Sequence, residues 1–363
     1  MQITHVITSI ARGGAENQLL ILCRQLVKEN HKVKVLALKG EPELNNLFIS
    51  SGIDVRLCES TNLINQIFFV RRNLPNNKHI LHAHLPQAEL VAKLAARRFS
   101  IRVATRHFGG DFYPDRPKLL SRALSRFSTR GVSGIIAISD SVKSHLIQSR
   151  EIAKRVRLVR IYYGFSETEF IETSGSGQSL SALVFPAGSY KRVGTIARLS
   201  PEKDLSTLLL AFAESLGHDA NQKLFIAGSG PLKDELMDLG KSLGIDSKIF
   251  FVGRISEVYS FLKELDVFVL TSKFEGFGMV LLEAMAARVR IIAARNSAIL
   301  EVLGNSGAGT FFETSTKEDL ANKLNRSNLA SPEDWQNQQA KRLEFFSAIN
   351  VSKSTLKFYA EIF

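Results

Sequence analysis

Apolar runs of five or six residues alternate with helical patterns along the first half of the chain. The strand-like runs lie at residues 3–8, 33–38, 53–57, 79–83, 101–105, 134–138 and 156–161. Between them, apolar residues recur at helical spacing, as at Leu19, Leu22 and Leu26. Strands that alternate with helices form parallel sheets covered by helices on both faces. The first half is therefore predicted to be a Rossmann-like domain.

A polar stretch separates this half from a second domain of the same kind. Residues 171–192 are rich in Ser, Gly and Thr, so a linker or hinge is predicted at 173–192. Beyond it, strand-like runs at 193–197, 224–227, 249–252, 267–270 and 290–293 alternate with helical patterns. The prediction is an α/β fold with two doubly wound domains, at 1–172 and 193–345. The apolar face of a C-terminal helix within 346–363 is expected to dock back on the first domain.

Length and composition agree with two soluble domains. The chain has 363 residues, is 45% hydrophobic and is 23% charged. No stretch approaches the roughly 18 uninterrupted apolar residues of a membrane-spanning helix, and the first residues lack the pattern of a signal peptide. Cys23 and Cys58 lack disulfide or zinc-site spacing. We therefore expect a cytoplasmic protein.

Positive charge is in excess, with a formal net charge of +12. Such a charge attracts nucleic acid, anionic lipid or phosphorylated metabolites. One predicted helix carries cations every four positions, at Lys118, Arg122, Arg126 and Arg130, with Leu119, Leu120, Ala123, Leu124 and Phe127 at the neighbouring angles. Its apolar face either covers the sheet, as in an ordinary surface helix, or lies on an anionic membrane. Our hypothesis is peripheral attachment to the inner face of the cell membrane.

Polar residues follow the strands of the second domain, where ligands gather in an open α/β sheet. Arg198 and Lys203 follow the run at 193–197 and precede a helix that begins near Asp204. A guanidinium, an ammonium and free helix amides suit a diphosphate. A solvated Arg and Lys pair without a ligand is the competing interpretation.

Two glutamates flank the start of a later helix in the same domain. Glu275 lies in the run FEGFG at 274–278, and Glu283 lies about one turn inside the helix. Gly276 and Gly278 allow a sharp turn that exposes backbone amides. The two acids could hold sugar and ribose hydroxyls, or they could be a capping acid and a solvated helix acid. The glycines and the strand-end position favour the first interpretation.

The first domain offers weaker signals. Gly13 and Gly14 follow the first strand, where a phosphate or sugar could approach a helix N-terminus. His107 follows the strand at 101–105 and is expected to face a cleft between the domains. His82 and His84 alternate like a metal pair, but no third ligand of the right kind is evident nearby, so no metal site is expected.

Taken in order, these motifs closely resemble the retaining glycosyltransferases of family GT4. The resemblance spans nearly the whole chain, and its hallmark is a glutamate, seven residues and a second glutamate. The segments that carry it are GGAE at 13–16, His107, RLSPEK at 198–203, AGSGP at 227–231, FVG at 251–253 and the pair Glu275 and Glu283. The resemblance implies a GT-B fold, in which two Rossmann-like domains face each other across a cleft, and a sugar nucleotide as donor.

The resemblance also implies roles for individual residues. Arg198 and Lys203 would hold the diphosphate, Glu283 the ribose, and Gly253 and Arg254 would lie beside the base. His107 and Glu275 would act on the donor sugar. The remaining donor contacts would come from loop residues, namely Gly13, Gly14, Gly276, Phe277, Gly278 and Met279.

By the same resemblance, a sugar would pass from a UDP-sugar to a glycan or lipid-linked saccharide in cell-surface polysaccharide or lipopolysaccharide biosynthesis. Configuration would be retained through an oxocarbenium-like state, without a covalent protein nucleophile. No metal or other cofactor is expected, because fixed cations and helix-end amides would stabilise the leaving diphosphate. Departures from the family pattern at Tyr163, Ser166, Arg288, Arg290 and 297–298 bear on the sugar and the loops more than on the reaction class.

Three other functions compete with this one. A sugar-nucleotide epimerase of the same fold would turn over the donor without an acceptor. A noncatalytic sugar-nucleotide-binding protein would keep its biological function without Glu275. A nucleic-acid-binding protein has only the net charge in its favour, because helix-turn-helix, zinc-finger and RNP patterns are absent from the sequence, so nucleic acid is not expected as a partner.

Overall fold

The computed structural model describes residues 1–11, 13–113, 116–174, 184–327 and 331–363. The chain divides into two units: residues 1–165 with 346–363, and residues 166–345. Of the hinge predicted at 173–192, residues 175–183 lie outside the described residues, as does Arg12 in the first glycine loop.

The first unit contains a seven-stranded parallel sheet in the order β3-β2-β1-β4-β5-β6-β7. Its strands are Gln2–Ile7 (β1), Lys32–Ala37 (β2), Asp54–Leu57 (β3), His79–His84 (β4), Ser100–Arg106 (β5), Gly134–Ala137 (β6) and Leu158–Arg160 (β7). The connecting helices are Gly14–Lys28 (α1), Asn45–Ser50 (α2), Leu63–Asn73 (α3), Pro86–Ala95 (α4), Lys118–Thr129 (α5) and Asp140–Ser149 (α6). The central strands are buried on both faces, which explains their nearly continuous apolar character.

The second unit repeats the plan with six parallel strands in the order β10-β9-β8-β11-β12-β13. They are Lys191–Ile196 (β8), Gln222–Ala227 (β9), Ile249–Gly253 (β10), Val267–Leu270 (β11), Arg290–Ala294 (β12) and Thr310–Phe312 (β13). Its helices are Glu167–Ser174 (α7), Leu205–Ser215 (α8), Lys233–Ser242 (α9), Val258–Lys263 (α10), Met279–Ala286 (α11), Ser297–Leu303 (α12), Lys317–Asn325 (α13) and Pro332–Phe345 (α14). The apolar pattern does not predict β13, which is only three residues long.

The last helix, Ala348–Ile362 (α15), belongs to the first unit. Its Phe358 and Tyr359 lie in the same hydrophobic core as residues of β1 and α1. A Cβ at Gly134 would lie 2.3 Å from Phe358 Cζ, so glycine is needed on β6 where this helix packs.

The fold class is confirmed, because each unit is a doubly wound α/β domain with a parallel sheet. In both sheets the strand order reverses between two neighbouring strands, β1 and β4 in the first and β8 and β11 in the second. Ligands of this architecture bind outside the carboxyl ends of the strands at that reversal. Among the described residues, no helix is long and apolar enough to cross a bilayer.

Candidate functional site

In the second unit, the predicted donor-binding residues gather where the strand order reverses. Lys203 lies in a short 3-10 turn after β8, and Glu275 lies in the loop after β11. Lys203 Nζ is 2.7 Å from Glu275 Oε1, and the two side chains are 20% and 11% exposed. A charge pair with this little solvent access is stronger than one on an open surface. The structure therefore brings together two side chains that are 72 positions apart in the sequence.

Further hydrogen bonds fix the two loops that carry this pair. Ser272 Oγ donates to Glu275 Oε1 at 2.8 Å, and Thr271 Oγ1 donates to the Lys203 carbonyl at 2.7 Å. Glu275 does not cap helix α11, because the N-cap is Gly278, which has a φ of 90°. That left-handed conformation favours glycine and turns the chain sharply into the helix. The interpretation of Glu275 as a capping acid is therefore wrong.

Glu283 lies in the second turn of α11 and is half-buried rather than fully solvated. Desolvation by burial raises its pKa to about 7. Both protonation states are therefore populated near neutral pH, so the carboxyl group can accept or donate a hydrogen bond. Phe277, in the loop before the helix, is only 2% exposed, so its contribution to a ligand is limited to its backbone.

Two glycines bring the end of β9 against the end of β8. A Cβ at Gly228 would lie 1.9 Å from the Ala197 carbonyl oxygen, and one at Gly230 would lie 2.3 Å from that of Leu199. No side chain fits in either place, which explains the run AGSGP physically. Between them, Ser229 accepts a 2.8 Å hydrogen bond from Arg254 Nε.

The other predicted donor-side residues lie at the same edge of the second sheet. Arg198 is exposed directly after β8, and Arg254 is exposed directly after β10. Gly253 ends β10 with a φ of 77°, a conformation that favours glycine. Exposed guanidinium groups at this edge can bind anionic ligand groups.

In the first unit, His107 stands at one end of a chain of hydrogen bonds. Its Nδ1 is 2.5 Å from the Tyr163 hydroxyl, and its Nε2 is 3.2 Å from His84 Nδ1. The chain continues from His84 Nε2 to His5 Nδ1, at 3.0 Å. Burial lowers the pKa of His107 and of His5 to about 3, so both rings are neutral. His107 therefore acts as a neutral hydrogen-bonding group rather than as a cation.

A third histidine does lie beside His82 and His84, so the expectation that none is nearby is wrong. It is His5, whose Cα pairs with His82 in the sheet register. One ligand atom from each ring lies within 4.8 Å of the others. Five of the six ring nitrogens already have partners, because His82 also contacts Tyr359 and Thr105. The cluster is thus a hydrogen-bonded network that a metal ion would have to break.

The first glycine loop leaves space at the start of α1. Gly13 is the N-cap residue, and Gly14 is the first residue of the helix. A Cβ at Gly14 would meet no described atom within 4 Å, whereas one at Gly13 would meet only the flexible Glu16 carboxylate, at 2.4 Å. The glycines are therefore not required by packing, which leaves close approach of a ligand as a reason for them.

Helix α5 exposes its apolar residues and buries small polar ones. Leu119, Leu120 and Phe127 are 82%, 44% and 43% exposed. The buried face consists of Ser121, Ser125, Ser128 and Thr129. The interpretation in which the apolar face covers the sheet is therefore wrong. Of the cationic stripe, Lys118 and Arg130 are exposed, and Arg122 and Arg126 are half-exposed, with Arg130 just past the end of the helix.

A buried ionic cluster explains how a serine-lined face can pack. Arg106 Nε is 2.7 Å from Glu89 Oε1, and Arg106 also donates to Ser125 Oγ at 2.9 Å. Glu151 is 3.8 Å from the same guanidinium, and Ser125 Oγ donates to the Glu151 carbonyl at 2.7 Å. Desolvation raises the pKa of Glu89 to about 7, although Arg106 opposes the shift. The sequence pattern does not predict this cluster, because Arg106, Glu89 and Glu151 lie on a strand, a helix and a loop.

The positions that depart from the family pattern have structural partners. Tyr163 bonds to His107, as described above. Arg288 has a φ of 55°, a left-handed conformation that favours glycine, and it pairs with Glu167 at 3.2 Å. Arg290 lies over the Trp335 ring, 5.4 Å from its centroid. Ser297 begins helix α12, which the Asn296 side chain caps.

Two family models match the chain. The model described as Glycosyltransferase Family 4 matches residues 12–164, and the one described as Glycosyl transferases group 1 matches residues 185–342. Each match covers most of one structural unit.

Individual proteins agree with these models. An alpha-monoglucosyldiacylglycerol synthase of Streptococcus pneumoniae is 27% identical over 256 residues, which cover 69% of this chain and only 57% of that protein. The Campylobacter jejuni enzyme named GalNAc-alpha-(1->4)-GalNAc-alpha-(1->3)-diNAcBac-PP-undecaprenol alpha-1,4-N-acetyl-D-galactosaminyltransferase is 25% identical, over 100% of this chain and 99% of that protein. The crystal structure of Anabaena HepE in complex with UDP matches with a TM-score of 0.81 at 20% identity, over 99% of this chain and 100% of that one. At this identity the structural match bears on the fold alone.

Proposed function

The chain belongs to the family 4 glycosyltransferases of the GT-B type, and we propose that its donor is a UDP-sugar. The sugar would be transferred to a glycan or a lipid-linked saccharide with retention of configuration. The observation that carries the donor assignment is the Lys203–Glu275 pair at the strand reversal of the second sheet. The structurally similar HepE is in complex with UDP, which supports uracil as the base of the donor.

The donor diphosphate would compete with Glu275 for Lys203. Without a ligand, the ammonium of Lys203 is neutralised by Glu275 at 2.7 Å. A diphosphate beside Arg198 and Lys203 would offer more negative charge, and Glu275 would then be available to accept hydrogen bonds from sugar hydroxyls. Glu283, with its pKa near 7, would hold the ribose hydroxyls.

The leaving diphosphate would be stabilised by this chain's own groups. The cations of Arg198 and Lys203 and the amides around Gly278 are fixed before the reaction, so they need little reorganisation as charge develops. We propose that catalysis needs no metal ion, which predicts that transfer persists in excess EDTA. From the first unit, neutral His107 would donate to or accept from the sugar.

The acceptor would be reached at a membrane surface. Helix α5 exposes three large apolar residues next to a row of cations, which is the composition of helices that lie in the headgroup region of anionic bilayers. The names of the two curated relatives refer to a diacylglycerol glycolipid and an undecaprenol-linked saccharide. We therefore propose a cytoplasmic enzyme bound peripherally to the inner face of the cell membrane.

A thermal-shift panel of nucleotide sugars tests the donor assignment. A true donor at 100 times its Kd stabilises the protein by about 2.7 kcal/mol, which raises Tm measurably. We expect UDP-sugars to raise Tm more than GDP- or ADP-sugars. Lys203→Ala should abolish most of the shift, and Lys273→Ala, in the loop after β11 and paired with Asp204, should keep it. A panel without any shift would contradict the proposal.

Liposome recovery tests the membrane assignment. We expect the wild-type protein to sediment with phosphatidylglycerol vesicles at low salt, and Arg122→Glu with Arg126→Glu to prevent this. The matched control is Lys353→Glu with Lys357→Glu, on exposed positions of α15, which changes the net charge by the same amount. Equal recovery of both double variants, or no binding by the wild type, would contradict the assignment.

A further inference from the structure

Helix α3 carries a second set of exposed apolar side chains, apart from those of α5. Ile64 and Phe68 are 61% and 63% exposed, and Leu63 is 39% exposed. Leu57, at the end of the preceding strand β3, is 42% exposed. Single exposed apolar residues are ordinary, but grouped ones mark contact surfaces. These side chains do not belong to the hydrophobic core, to which α3 contributes Phe69 and Val70 from its other face.

The charges on α3 have the same sign as those on α5. Helix α3 has no acidic residue and carries Arg71 and Arg72 in its last turn. Helix α5 also has no acidic residue. Large apolar groups beside cations, without acids on the same helix, match the chemistry of an anionic bilayer surface.

The two helices lie in one layer. Helix α4 packs against both α3 and α5. Arg106 of β5 contacts Glu89 of α4 and Ser125 of α5, so α5 covers the same face of the first sheet as α4. Phe69 of α3 and Val91 of α4 share one hydrophobic core, whereas Phe48 of α2 belongs to the core on the opposite face, with α1 and α15. Between α3 and α5, α4 adds Leu94, which is 40% exposed.

We propose that α3 and α5 together form one membrane-docking face of the first unit for an anionic lipid bilayer. This inference rests on the proposed attachment through α5 and adds a second, independent contact. Two helices side by side would fix the rotation of the first unit on the bilayer, which a single helix would not. Helix α3 begins after the carboxyl end of β3, and α5 begins after the carboxyl end of β5. The carboxyl edge of the first sheet, where His107 lies, would therefore be close to the lipid.

The test compares two double variants on opposite faces of the same unit. Ile64→Ser with Phe68→Ser removes the α3 contact, and Leu47→Ser with Ile49→Ser removes exposed apolar groups from α2, at 37% and 55% exposure. Binding is titrated with vesicles of phosphatidylglycerol and phosphatidylcholine. We expect the α3 variant to bind roughly 10-fold more weakly, because two large apolar groups no longer enter the interface. The α2 variant should bind within about 2-fold of the wild type.

The outcomes separate this inference from the proposed function. If the Arg122 and Arg126 variant loses binding and the α3 variant does not, the α3 contact is wrong while attachment through α5 stands. If the α3 and α2 variants lose binding equally, the loss is not specific to this face, and the inference fails. If the wild type does not bind the vesicles, the proposed attachment fails as well. The ellipticity of both variants is compared with the wild type to confirm that they are folded.

Discussion

The carboxyl edges of the two sheets present different chemistry. In the first unit, the side chains at and behind this edge are neutral imidazoles linked in a buried chain, from His107 through His84 to His5. In the second unit they are charged, with Lys203 and Glu275 in contact and two exposed arginines nearby. Neutral, shielded groups orient hydroxyls, whereas fixed charges hold phosphate. The same fold therefore supports two different kinds of recognition.

The units also differ in how charge is buried. The first unit encloses Arg106 with two glutamates beneath α5, whereas the charge pair of the second unit keeps some contact with solvent. A buried ion that loses its partner is costly, but a partly solvated one recovers hydration. Variants in the two units should thus fail in different ways, through stability in the first and through ligand binding in the second.

The largest expected effect is on stability, at the first unit's ionic cluster. Arg106→Met should lower the free energy of unfolding by about 3–5 kcal/mol, because Glu89 and Glu151 remain buried without their cation. Urea denaturation measures this. Arg102→Met, on the same strand, removes hydrogen bonds to backbone carbonyls of Ser128 and Arg130 but leaves no buried acid. A similar loss in both variants would argue against the ionic explanation.

The next effect is on transfer activity, at the charge pair. Lys203→Ala should lower kcat/KM by about 100-fold, because a preorganised cation no longer stabilises the leaving diphosphate. Its unfolding free energy should change little, in contrast to Arg106→Met. The control is Lys273→Ala, whose partner is Asp204. If both lysine variants retain wild-type kinetics, the diphosphate is held elsewhere.

A smaller effect concerns the pH dependence of stability through Glu283. Its pKa rises on folding from 4.5 to about 7, so the folded state binds the proton more tightly than the unfolded state. The associated stability is fully present below pH ~4.5 and is lost as the pH rises to about 7. Glu283→Gln lacks this titration. Between pH ~4.5 and about 7, the free energy of unfolding of the wild type should therefore fall by about 1–3 kcal/mol relative to that of the variant. Parallel stability curves for the two proteins would show that the carboxyl group is not desolvated.

The smallest expected effect lies in the neutral chain of the first unit. His84→Leu should lower kcat about 3- to 10-fold, because His107 loses the hydrogen bond that orients its ring. The Tm increase produced by UDP should remain, because the charged site lies in the other unit. His79→Leu, on the same strand but bonded to Asn77 and Ser100, serves as the control. If UDP no longer raised the Tm of His84→Leu, the assignment of nucleotide binding to the second unit would be contradicted.

The sequence indicates which charged side chains meet in the second unit better than which histidines meet in the first, for a physical reason. Lys203 and Glu275 lie on loops after strands, where glycines and helix starts signal a ligand. His5 lies inside β1, where it looks like one polar residue in a buried strand. Only the sheet register places it beside His82.

The buried face of α5 could not be predicted from the sequence either. Helical spacing reveals that Leu119 and Ser125 lie on different faces, but not which face is buried. The buried face is determined by Arg106 and Glu151, which satisfy the serine hydroxyl and come from distant parts of the chain.

The most direct test of the central claim is the anomeric configuration of a product formed from a UDP-sugar that raises Tm. The wild-type protein, vesicles with a lipid-linked acceptor and an α-linked donor are incubated with EDTA, and the product is analysed by NMR through the coupling of its anomeric proton. We predict an α-linked product, with none formed by Glu275→Gln. A β-linked product, or an epimerised nucleotide sugar formed without any acceptor, would contradict the account.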